Sequence, residues 1–102
     1  MTIEDYNGYG TREDDIIIDN CRLICTSIAC PEQYDVFDEK TKQQIGYLRL
    51  RGGLFRADAP ECGGDTVYES NPAGDGIFDD DERLPELTKA IAAIRRAYSL
   101  QG

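Results

Sequence analysis

Residues 47–57 constrain the fold more than any other stretch of this chain. Leu48 and Leu50 alternate with Tyr47, Arg49 and Arg51, and Leu54-Phe55-Arg56-Ala57 follows after only Gly52-Gly53. A period of two puts the leucines on one face of a strand and the tyrosine and arginines on the other. A two-residue glycine connection admits positive φ at both central positions, the geometry that joins two strands in a tight hairpin. The segment therefore predicts an antiparallel pair with one apolar face and one cationic face.

The flanking sequence extends this pair into a meander. Tyr34-Asp35-Val36-Phe37 reads as a strand, the polar run 38–43 as its turn, and Ile45 to Arg51 as the next strand. Pro60 and Gly63-Gly64 break the chain before Thr66-Val67-Tyr68-Glu69, the last candidate strand. Residues 16–30 are ambiguous. Ile17, Cys21, Ile24, Cys25 and Ile28 share a helical face, whereas the β-branched run Ile16-Ile17-Ile18 suits a strand, and strand is the preferred reading, ended by Pro31.

Asp79, Asp80 and Asp81 supply the cap and first-turn acids of a helix running to about Tyr98, with Glu82 three residues after Asp79 as in a capping box. Leu84, Leu87, Ile91, Ile94 and Tyr98 form its apolar stripe. The expected architecture is α+β, an antiparallel β-meander of three to five strands packed against a C-terminal α-helix. Residues 1–15 read as a loosely ordered acidic arm, and 16–102 as a single α+β domain. With 22 Leu, Ile, Val and Phe among 102 residues, the core is small but sufficient for a fold.

Charge and composition then exclude most functions. There is no histidine, which removes Ser-His-Asp and Cys-His nucleophile pairs and every His-containing zinc site. Twenty acidic against eleven basic residues give a net charge of -9, a sign that repels nucleic-acid phosphates and anionic lipids. Residues 61–82 carry Glu61, Asp65, Glu69, Asp75, Asp79, Asp80, Asp81 and Glu82 with no Lys or Arg among them. The first residues lack the basic and apolar regions of a secretory signal, and no apolar run approaches the ~18 residues of a membrane span. A cytoplasmic protein is expected, with no membrane and no direct nucleic-acid contact.

No catalytic group emerges. Cys21, Cys25, Cys30 and Cys62 do not repeat as matched zinc knuckles, and reduced thiols packed among Leu23, Ile24, Ile28 and Ala29 are the expected state. The acidic neighbours Glu61 and Asp65 have the wrong sign to hold a thiolate at Cys62. No glycine pattern matches a phosphate cradle, and no spacing nominates a carboxylate pair. Asn71, Asp75, Asp79 and Glu82 fall in the register of a calcium loop, with Gly76 sixth and Phe78 eighth. Ala73 occupies a ligand position, however, and a strand precedes the loop where an EF-hand has a helix. Calcium binding by residues 71–82 is therefore the alternative, and no cofactor or resident metal is expected.

The run Tyr47-Leu48-Arg49-Leu50-Arg51, Gly53, Phe55-Arg56-Ala57, Pro60, Cys62-Gly63-Gly64, Val67-Tyr68-Glu69, Gly74-Asp75-Gly76, Phe78 and Asp80-Asp81-Glu82-Arg83 resembles a block in short uncharacterised acidic proteins of phages and prophage regions, over roughly residues 34–94. That resemblance implies an intracellular accessory or inhibitor protein of a mobile element, a setting in which anti-CRISPR and anti-restriction proteins occur, and carries no activity with it. The functional expectation is a small non-catalytic protein-binding module whose partner has a basic surface. Asp75, Asp79, Asp80, Asp81 and Glu82 would meet that surface, in a sharper form by imitating a phosphate backbone, with Tyr47, Arg49, Arg51 and Arg56 as anchors. The competing expectation for these arginines is pairing with the acids of residues 61–82.

Overall fold

The computed structural model describes residues 15–28 and 31–100. Among them, six strands form one antiparallel sheet in sequence order: β1 (Ile16–Ile18), β2 (Cys21–Ile28), β3 (Glu32–Asp38), β4 (Gln44–Arg51), β5 (Leu54–Ala59) and β6 (Asp65–Ser70). One helix, α1 (Asp80–Leu100), follows. The α+β class, the meander and the terminal helix are as expected, but the strands number six rather than three to five. The difference lies in residues 16–28, where Asp19 and Asn20 adopt φ of 50° and 59° and fold what read as one element into the β1–β2 hairpin. Short polar side chains tolerate this left-handed region, so Asp-Asn does here what Gly-Gly does at residues 52 and 53, with φ of 59° and 75°. The arm expected at residues 1–15 lies outside the described residues except for Asp15, as do Ala29 and Cys30.

Alternation along each strand divides the sheet into two faces. Leu23, Val36, Leu48, Leu50, Phe55 and Ala57 join Leu87, Ala90, Ile91 and Ile94 of the helix in the main core. Burying each large side chain there contributes about 1.5–3 kcal/mol. Two irregularities enrich this face. Val36 pairs with Gly46 and Phe37 with Gln44, leaving Ile45 without a partner, and Ala57 and Asp58 pair with Tyr68 and Thr66, leaving Val67. These extra residues of the two bulges turn toward the helix, Ile45 joining the core and Val67 packing against it. Ile24 and Phe37 form a separate buried cluster.

Helix α1 lies across β4, β5 and β6. At Gly46 the Ile94 side chain fills the space a Cβ would need. The inward line runs through Arg83, Leu87, Ala90 and Ile94. Leu84, expected in the apolar stripe, is instead 59% exposed. Phe78 of the preceding loop is buried instead, packed edge to face on Phe55 at 4.9 Å. No described helix is long and apolar enough to cross a membrane.

Two buried carboxylates fix the helix. Glu32 accepts hydrogen bonds from Arg83 Nε at 2.9 Å and Nη2 at 3.2 Å, from the Phe78 amide at 3.0 Å, and from the Tyr34 hydroxyl. Near the other end, Asp38 accepts from Arg95 Nη1 at 2.6 Å and from the Thr41 amide at 2.7 Å. Arg95 also donates to the carbonyls of Asp19 and Asn20, so it holds the β1–β2 turn as well.

Candidate functional site

The arginines singled out from the sequence do converge. Arg49 and Arg51 alternate with the core leucines and so project from the sheet face opposite the helix, and Arg56 faces Arg49 directly across the β4–β5 pair. Gln33, Arg49, Arg56 and Glu69 are successive register partners across four strands. Facing side chains in such a row have Cβ atoms about 5 Å apart, and like charges placed opposite one another repel.

The surrounding groups fix this patch in detail. Asp58, 2% exposed, lies beside Tyr47 in the next row, 3.2 Å from Arg56 Nε. It also accepts from the Thr66 hydroxyl at 3.0 Å and from the Gly63 amide at 3.3 Å. Arg56 Nε is buried yet makes no aligned hydrogen bond, so its contact with Asp58 is purely an ion pair. Among the described residues, Arg49 and Arg51 form no ion pair. The competing expectation is thus corrected: Arg56 pairs with Asp58 of its own strand, and no described acid of residues 61–82 pairs with any of the three. Asp58 was missed from the sequence, although its position two residues after Arg56 places both on one face.

Tyr47 does not present an exposed ring as anticipated. It is 7% exposed and donates its hydroxyl to Gln33, and burial pushes its phenol above the usual range. Its register partners are Asp35 and Asp58, and alternation alone does not disclose its burial.

The acids of residues 61–82 form a run in sequence but not a single surface. Strand β6 separates them: Glu61 and Asp65 lie at its start, while Asp75, Asp79, Asp80 and Asp81 follow its far end, in the loop and first turn before and within α1. Six residues of strand at ~3.3 Å each put roughly 17–20 Å between the two groups. Asp75, Asp79, Asp80 and Asp81 are all exposed. Of the eight acids, only Asp80 forms an ion pair among the described residues, with Arg83 at 2.9 Å. The loop-and-helix acids lie on the helix side of the sheet and the arginines on the other, so the two sets do not make one binding face.

Glu82 has a structural task. Its carboxylate accepts the amides of Ala73 at 2.8 Å, Gly74 at 2.7 Å and Asp79 at 2.9 Å, closing the capping box and pinning the loop. These bonds, the Asp79 amide foremost, hold its carboxyl below the usual range. No group of three or more Cys, Asp or Glu among the described residues is arranged to hold a metal ion, so the geometry lends the calcium reading no support. Cys21 is buried as expected, and burial raises its thiol to about 11. Cys25 and Cys62 are exposed rather than packed.

Comparison of the chain with protein-family models, with characterised proteins and with solved structures finds no match in any of the three.

Proposed function

We propose that this chain is a non-catalytic module that occupies a basic surface on a protein partner, using the carboxylates at its loop-and-helix end, as an accessory or inhibitor protein of a mobile element. The observation that carries this reading is the imbalance of pairing. Six cations, Arg22, Lys42, Arg56, Arg83, Lys89 and Arg95, are taken up in intramolecular ion pairs. Asp75, Asp79 and Asp81 stand exposed with none among the described residues. Carboxylates left in this way cost little in water, and they steer association with a positively charged surface.

The non-catalytic part of the reading has its own support. The buried carboxylates Glu32, Asp38 and Asp58 are each held against an arginine, an arrangement that stabilises the fold and leaves none of the three free to act as an acid or base. Because the acids divide between two ends of β6, docking through one end is favoured over imitation of a continuous phosphate backbone.

The test is affinity capture from cells carrying the gene, comparing the native chain with an Asp75→Lys, Asp81→Lys variant at about 0.05 M and 0.5 M salt. A protein retained by the native chain at low salt should be lost both in the variant and at high salt. Retention unaffected by either change would overturn the proposal.

A further inference from the structure

We propose that the β4–β5 part of the sheet face opposite the helix, where Arg49, Arg51 and Arg56 lie beyond the buried Tyr47 and Asp58, is a second docking surface that takes an extended acidic segment of a protein partner. This inference is independent of the acidic end and of its reading above.

Three observations carry it. First, Arg49 and Arg56 are register partners and Arg51 is two residues from Arg49 on the same face, so three cations share a small area of sheet. Their mutual repulsion is only partly relieved: Asp58 pairs with Arg56, and Glu69, the register partner of Arg56, is not within ion-pair distance. A ligand carrying negative charge removes that repulsion, and planar guanidinium groups bind carboxylates in a bidentate manner.

Second, the spacing fits an extended chain. Arg49 and Arg51 repeat along β4 at about 6.6 Å, twice the rise of a strand, and a segment with acids at alternate positions presents carboxylates at the same interval. Leu54, the register partner of Arg51, is 37% exposed and supplies apolar contact at the edge of the patch.

Third, the described residues around the patch do not offer what single-stranded nucleic acid needs. Such ligands rely on aromatic rings open to base stacking. Among the described residues, Tyr47 is the ring beside the patch, and it is 7% exposed with its hydroxyl engaged by Gln33. The overall charge of -9 further disfavours a long polyanion, whose ends would extend beyond the patch toward the carboxylates around it.

The experiment uses the full chain and three labelled probes followed by fluorescence anisotropy: a peptide with glutamate at alternate positions, the same peptide with glutamine, and a single-stranded oligonucleotide of equal charge. At low salt the glutamate peptide should bind at least about tenfold more tightly than the glutamine peptide. An Arg49→Gln, Arg51→Gln variant should lose that preference. A Lys40→Gln, Arg96→Gln variant, which removes the same charge from exposed cations elsewhere, should keep it. Arg56 is left intact because removing it would strand the buried Asp58 and could unfold the chain. Equal binding of the two peptides would overturn the proposal. So would equal losses in both variants, which would indicate a general charge effect, or tighter binding of the oligonucleotide. Sedimentation that shows a dimer abolished by the Arg49→Gln, Arg51→Gln changes would assign the surface to a second copy of the chain and overturn the acidic-partner assignment.

Discussion

At the scale of single residues, the most consequential group is Glu32, which lies just before the strand expected from Tyr34 and which the structure places in β3, buried to 2% exposure. Burial by itself would raise its carboxyl. The Arg83 guanidinium, the Tyr34 hydroxyl and the Phe78 amide outweigh that effect and hold it below its ordinary value of 4.5. The folded state therefore binds this proton less readily than the unfolded state, so the contribution of Glu32 is present above pH ~4.5 and is lost as pH falls through the folded value. Removing the cation reverses the sign. In an Arg83→Met variant the buried carboxylate has no counter-charge, burial dominates, and protonation favours the folded state. The variant should lose about 3 kcal/mol near neutral pH, the lower end for breaking a buried pair because Arg83 remains partly exposed. The gap from the native chain should then narrow as pH falls from 7 to 5. Urea denaturation at the two pH values measures it, and a gap that stays constant would mean that Arg83 acts through something other than the charge of Glu32. Neither residue advertised this role, because their pairing spans 51 positions of sequence and depends on how the 71–79 loop returns over the sheet.

At the scale of elements, the two hairpin turns show what local sequence does and does not disclose. Gly52-Gly53 sits between alternating strands and is readable because glycine is the usual residue at two successive positive φ values. Asp19-Asn20 makes the same kind of turn with residues that equally well begin or cap other structures, so β1 and β2 were legible only as one ambiguous stretch. A Gly53→Ala change places a Cβ at φ of 75° with no atom within 4 Å, so any cost comes from the backbone alone. It should destabilise the chain by about 1–2 kcal/mol in thermal or chemical denaturation. A loss below a few tenths of a kcal/mol would show that the turn relaxes without strain. The helix was likewise legible in its start, since Asp79 and Glu82 form the anticipated capping box, but not in its orientation. Leu84 fits the apolar periodicity yet faces water, while Phe78 of the preceding loop, which periodicity does not single out, packs on Phe55 in the core. The arginine patch was readable for the same reason as the Gly-Gly hairpin, because both rest on strict alternation. The burial of Tyr47 and the separation of the acids depend on tertiary neighbours that alternation does not specify.

At the scale of the whole molecule, charge is unevenly matched: among the described residues six cations are taken up in ion pairs, while Asp75, Asp79 and Asp81 at one end have none. The described residues extend 33 Å along their longest axis, close to the screening length of about 30 Å at 0.01 M salt, so at low ionic strength nearly every charge on them interacts with every other. With a net charge of -9 the summed interaction opposes compaction. Added salt shortens the screening length to about 3 Å at 1 M and removes this repulsion, while also weakening ion pairs. The pairs most important to the fold, Arg83 with Glu32 and Arg95 with Asp38, involve carboxylates that are almost fully buried and meet their partners at 2.9 and 2.6 Å, where screening has little effect. Repulsion among the exposed acids is therefore the larger loss, and the thermal midpoint should rise as sodium chloride increases from about 0.01 to 0.5 M. An Asp75→Asn, Asp81→Asn variant, carrying two fewer negative charges, should show a smaller rise. A midpoint that falls with salt would mean that surface ion pairs contribute more than the uncompensated carboxylates oppose, and the excess of exposed carboxylates on which the acidic-end proposal rests would then carry little energetic weight.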